Sequence, residues 1–176
     1  MKYKINNKKG ISLVETVIYL AIFTMVSILV INSFITVIGS FATTRTNRSL
    51  MEAGINSMER MSREIRQADN VDVLNSSLNG DTLHLNSKDS GENLITIKFS
   101  KVNNDLNLYK CSGLVVCDTF FGNLVGENIS LDSLVFRRVI TAQGEAIKIE
   151  MTLSDIYSKT NKTENFYNTI ILKGGY

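Results

Sequence analysis

Lys8-Lys9-Gly10-Ile11-Ser12-Leu13-Val14-Glu15 opens onto a run that has no Asp, Glu, Lys or Arg from Thr16 to Thr44. Ile, Val, Leu, Phe and Met dominate that run as far as Ile38. It exceeds the roughly 20 apolar residues that cross a bilayer core as a helix. Lys2, Lys4, Lys8 and Lys9 all precede it, so the positive-inside bias predicts a cytoplasmic N-terminus and an external C-terminal bulk. Glu15 is the odd residue in this pattern. A carboxylate at bilayer depth is unfavourable by a few kcal/mol, less near the interface, so it marks a function and a partner.

A secretory signal peptide also begins with basic residues, but its apolar stretch is shorter and its small-residue cleavage site comes after that stretch. Here no such site follows the apolar run, and Gly10 lies in front of it. Basic leader, glycine, a glutamate five residues on, and then the apolar run: this order resembles the class III signal of type IV prepilins and pseudopilins. In that family a dedicated aspartyl peptidase cuts after the glycine and leaves the apolar helix on the mature protein. The resemblance implies a cut between Gly10 and Ile11. The new N-terminus in the family is commonly a methylated phenylalanine, and Ile11 departs from that pattern. Ser12-Leu13-Val14-Glu15 matches the remainder of the motif. The competing reading is an uncleaved signal-anchored surface domain that binds a ligand or partner, with Gly10 and Glu15 unrelated to processing.

The resemblance gives Glu15 an assembly role, pairing its carboxylate with the free N-terminal amine of a neighbouring subunit. Physics agrees, since a low-dielectric surrounding penalises either charge unpaired. It implies as partners a prepilin peptidase, other pilin or pseudopilin subunits, an inner-membrane assembly platform, and membrane lipid before assembly. About 30 apolar residues leaving lipid need a second environment. Each leucine-sized side chain buried is worth roughly 1.5 to 3 kcal/mol, and parallel packing in a filament supplies that burial. Met61-Ser62-Arg63-Glu64-Ile65-Arg66-Gln67-Ala68 further resembles a segment of J-type minor pseudopilins and W-type minor pilins. A minor subunit that helps to initiate or cap a secretion or pilus-like filament is the expectation that follows, with tip or shaft position left open.

Composition limits the alternatives. Lys+Arg number 19 and Asp+Glu 17; four of the lysines precede Gly10, so a chain beginning at Ile11 carries 15 against 17. The basic balance therefore belongs to the leader. No basic stripe with interleaved aromatics marks a nucleic-acid footprint, and Arg137-Arg138 alone is too little for one. A chain of 176 residues leaves room for one modest domain beside the helix. Its expected organisation is a leader over 1–10, a transmembrane and assembly helix over 11–44, and an extracytoplasmic domain over 45–176 that includes an amphipathic helix over 45–69. The membrane exit is expected at 43–47.

The stretch from Ile11 to about Asp69 has no proline, and its pattern becomes amphipathic near Arg45. Met51, Ile55, Met58, Ile65 and Ala68, with Met61 beside them, predict the face that packs on a domain. Glu59 with Arg63 and Arg60 with Glu64 have the spacing of solvent-facing pairs. A helix of about 59 residues would be about 90 Å long. Past Asn70 the period shortens, and strands are expected at 82–85, 94–99, 106–110, 134–140, 146–153 and 166–172, with 118–131 as a less regular connection. Asn79-Gly80-Asp81, Ser90-Gly91 and Gln143-Gly144 supply turns. The fold class is α+β: a pilin-like long N-terminal helix on an antiparallel sheet.

Cys111 and Cys117 fall in the part expected outside the cytoplasm, where a disulfide is permitted; two buried free thiols are the alternative. They lack the company a zinc site requires, and no cofactor is expected. His84 alternates with Leu83 and Leu85 in a short strand, which predicts solvent exposure and no catalytic role. No nucleophile-elbow pattern surrounds a serine, and no enzyme is expected. Asp72, Asp81 and Asp89 lie near turns without EF-hand spacing, and turn formation is their expected use.

Overall fold

The computed structural model describes residues 12–113, 117–141, 144–156 and 162–173. It divides into two units, Met1–Thr44 and Arg45–Tyr176, with the boundary where charged residues resume. The architecture is α+β: one long helix followed only by antiparallel strands.

Helix α1 runs over Leu13–Gln67. It has no proline to interrupt it, and the Ser12 carbonyl accepts from the Glu15 and Thr16 amides at its start. Glu15 in the first turn and Arg66 in the last both complement the helix dipole. At the other end the Ala68 amide bonds the Ile65 carbonyl, and the Asp69 amide crosses to Asn86. That crossing starts the sheet.

Two sheets follow, rather than the single one expected. The first has five strands in sequential order: β1 (Asn70–Val71), β2 (Thr82–Lys88), β3 (Leu94–Val102), β4 (Asp105–Ser112) and β5 (Phe120–Asn123). The second has three, β6 (Ile129–Thr141), β7 (Gly144–Asp155) and β8 (Thr163–Ile171). β3 and β4 join through a two-residue turn in which Asn103 takes a φ of 57°, a left-handed conformation that asparagine tolerates better than most residues. The sheets are tied by Asn79 N–H to the Phe136 carbonyl, Phe136 N–H to Gly80, and Leu131 N–H to Asn104.

All six expected strands are present, several of them longer than the alternation suggested. The expected loop at 118–131 instead contains β5 and the start of β6. β5 is short, exposed and contains a glycine, and β6 is interrupted by a register shift between Leu131 and Ser133. Neither leaves a clean period of two in the sequence. Gly144 begins β7, whereas its turn partner Gln143 lies outside the described residues.

One core unites the sheets with the second part of α1. Leu83, Leu85, Ile97, Phe99, Leu106 and Leu108 come from the first sheet, and Phe136, Ile147, Ile149, Met151 and Leu153 from the second. The helix contributes Leu50, Met58, Met61 and Ile65, and Ala68 follows just past its end. Met51 and Ile55, expected on this face, are 45% and 57% exposed. The buried line runs instead through Leu50, Gly54 and Ser57. The reason is close approach: a Cβ at Gly54 would lie 2.1 Å from the Phe166 ring. Here strand β8 needs a residue with no side chain, so apolar bulk misidentifies the face.

Candidate functional site

Gly10 and Ile11, the expected processing site, and the basic leader lie outside the described residues. Glu15 is described, and it sits exposed in the first turn of α1. Its Oε1 accepts a hydrogen bond from the Tyr19 hydroxyl at 2.9 Å. Around and beyond it the apolar side chains are exposed on every side of the helix: Val17, Ile18, Leu20, Phe23, Leu29 and Phe34 all show half or more of their surface.

Polar side chains in this stretch are mostly turned back on the helix. Thr16, Thr24, Ser33, Thr36, Ser40, Thr43 and Thr44 each donate to a carbonyl three or four residues earlier. Their hydroxyls are thereby satisfied without water, which is what a hydrocarbon environment demands. Among the described residues α1 is the one helix long and apolar enough to cross a membrane. So large an exposed apolar surface marks a lipid or protein contact.

In the second unit Cys111 and Cys117 are joined by a disulfide, their Cα atoms 5.5 Å apart. The bond closes the connection from β4 to β5, whose residues 114–116 lie outside the described residues. Gly113 anchors this corner: its amide bonds Leu94 and its carbonyl accepts from Thr96 Oγ1 at 2.9 Å. β5 then presents Phe120 edge-on to Tyr109 at 5.9 Å between centroids, while Arg60 and Lys110 lie over Phe121.

Those two cations also hold Glu64. The spacing with Arg60 suggested a solvent-facing pair, but Glu64 is only 4% exposed. Its Oε1 receives Arg60 at 2.9 Å and Lys110 Nζ at 2.8 Å. Burial of the carboxylate is tolerable because both partners reach it. The helical pairing was visible in the sequence. Lys110, on β4, became a partner only through the fold.

His84 also departs from expectation, being 4% exposed rather than facing solvent. The segment after β1 bonds its backbone: Ser76 Oγ accepts from the His84 amide, and the Asp72 amide bonds the His84 carbonyl. Its Nδ1 is buried without a hydrogen-bond partner among the described residues. Burial, together with the charge of Lys98, holds the imidazole below its ordinary pKa, against the opposing pull of Asp72 and Asp118. The ring is therefore neutral at pH 7.

Asp72 and Asp89 act in turns. Asp72 accepts from the Leu74 and Asn75 amides and from Asn75 Nδ2, and Asp89 accepts from the Gly91 and Asn93 amides and from Asn93 Nδ2. These bonds hold both carboxyls below the usual range, the asparagine side chain being the main cause in each case. Asp81 accepts from Thr82 Oγ1. Among the described residues no cluster of three His, Cys, Asp or Glu could hold a metal ion. A hollow of about 620 Å³ in the second unit is an open groove between α1 and β8 lined by Ile55, Met58, Arg63, Arg66 and Tyr167. Nothing in the local sequence pattern announced it, since it forms where β8 meets the helix.

No protein-family model, curated protein or solved structure matches this chain.

Proposed function

We propose that this chain is a pilin-like minor subunit: a single-pass membrane protein with its N-terminus inside, cut after Gly10 and assembled through its N-terminal helix into a secretion or pilus-like filament. The supporting observation is the first part of α1. It carries apolar side chains exposed all round, self-satisfied hydroxyls, and one carboxylate at its head. Such a surface suits lipid, and it equally suits a sheath of parallel copies of the same helix.

In this reading cleavage leaves an ammonium at Ile11, and Glu15 of a neighbouring subunit receives it. Pairing relieves the penalty that either charge meets in apolar surroundings. The β-rich unit stands outside the cytoplasm, where the Cys111–Cys117 disulfide is chemically at home. The Met61–Ala68 segment, similar to that of J-type minor pseudopilins and W-type minor pilins, favours a minor subunit over a shaft subunit.

N-terminal analysis of the chain recovered from membranes that contain a prepilin peptidase tests the processing step. A mature terminus at Ile11 is expected. An intact terminus at Met1 would overturn the proposal in favour of an uncleaved anchor.

A further inference from the structure

Tyr19 stands one helical turn beyond Glu15. Long side chains on a helix lean toward its N-terminus, so the phenol of Tyr19 reaches back over the preceding turn and its hydroxyl meets Glu15 Oε1 at 2.9 Å. Among the described residues of the Leu13–Thr44 stretch, seven Ser and Thr hydroxyls donate to carbonyls of their own helix. Tyr19 is the one hydroxyl there that donates to a side chain. The aromatic ring carries its hydroxyl too far from the backbone for the short return bond that Ser and Thr make. The only charged group of the segment takes it instead.

A carboxylate has about four acceptor positions on its two oxygens, and an ammonium offers three N–H donors. A bond from Tyr19 to Oε1 therefore leaves Oε2 open, and it restricts the rotation of the Glu15 side chain. Tyrosine also suits the depth: an apolar ring with a polar tip is favoured where a helix leaves lipid for the headgroups.

We propose that Tyr19 is a positioning residue for Glu15, holding the carboxylate by one oxygen so that the other is presented to the N-terminal ammonium of a second chain. This rests on the assembly role proposed for Glu15. The phenol compensates the carboxylate while the chain waits alone in lipid, and it remains bonded when the ammonium arrives. No exchange of partners is then required during assembly.

Two measurements on the full chain test it. In the first, tyrosine labelled with ¹³C at Cζ is observed by NMR in phosphatidylglycerol nanodiscs, the Tyr19 resonance being the one lost in Tyr19→Phe. Glu15→Leu is expected to shift that resonance, and an unmoved resonance overturns the positioning role alone. In the second, Tyr19→Phe is expected to reach the membrane in wild-type amount but to enter filaments about tenfold less, the scale of one hydrogen bond to a charged group. Incorporation at the wild-type level overturns the positioning role. A Glu15→Leu chain that enters filaments normally removes the assembly reading of Glu15 and the role of Tyr19 with it, whatever the resonance does.

Discussion

The two parts of helix α1 have the same backbone and opposite relations to their surroundings. Before Arg45, large apolar residues are exposed on all sides; after it, one line through Leu50, Gly54, Ser57, Met61 and Ile65 is buried while Arg63 and Arg66 face outward. The difference teaches that apolar content does not measure burial within a folded unit. In the first part the apolar side chains are exposed among the described residues, and lipid or other chains can supply their burial. In the second, glycine and serine do as much as methionine to define the packed face, because they let the strands approach.

Truncating the same kind of bulk in the two parts gives the largest expected contrast. Met61→Ala removes a fully buried side chain and should cost about 2 to 5 kcal/mol. Leu29→Ala and Met51→Ala remove side chains that are 66% and 45% exposed, and each should stay within about 0.5 kcal/mol. Urea unfolding of the full chain in detergent micelles, followed by the circular dichroism of the β-rich unit, checks this. A large loss from Leu29→Ala would break the comparison.

The two carboxylates of α1 sharpen the same contrast. Glu64 is buried between Arg60 and Lys110, whereas Glu15 is exposed with Tyr19 beside it. Breaking a fully buried ion pair costs about 3 to 5 kcal/mol. The Arg60 and Lys110 side chains keep 31% and 27% of their surface and can rehydrate, so Glu64→Ala should cost roughly 1 to 3 kcal/mol after that discount. On the assembly role proposed for Glu15, Glu15→Ala should leave unfolding unchanged and abolish entry into filaments. Unfolding midpoints and filament fractions, measured on both variants, separate a carboxylate that holds the fold from one that joins subunits.

How much of this was legible depended on the range of the interaction. The extent of α1, its change of character near Arg45 and the turn roles of Asp72 and Asp89 rest on neighbours within a few residues, and the sequence pattern carries them. The position of Glu15 ahead of an uncharged run was legible for the same reason. Glu64 with Lys110, Gly54 under Phe166, and the groove beside β8 each join segments far apart in the chain. No local period encodes them. Tyr19 was within reach, four residues from Glu15 on the same helix face, but a tyrosine among apolar residues draws no notice until its hydroxyl is given a partner.

His84 shows how alternation can mislead and has the smallest expected effect. A strand covered on one face would expose every second residue, but β2 buries Leu83, His84 and Leu85 in succession, while the segment carrying Asp72 and Ser76 bonds its edge at the His84 backbone. The folded pKa is lowered from its ordinary value near 6.5, so the unfolded chain binds the proton more readily than the native one. The stability from a neutral His84 is thus present above about pH 6.5 and is lost as pH falls below it, with a slope of at most about 1.4 kcal/mol per pH unit. At pH 6 the loss should be no more than about 1 kcal/mol. Asp72 and Asp89 have depressed pKa values, and their contributions fade only below about pH 4, outside this window. Unfolding midpoints recorded from pH 7.5 to 5.5 should therefore fall for the wild type and flatten for His84→Gln. The same slope in both would assign it to another group and would mean that burying His84 adds no pH dependence to the β-rich unit.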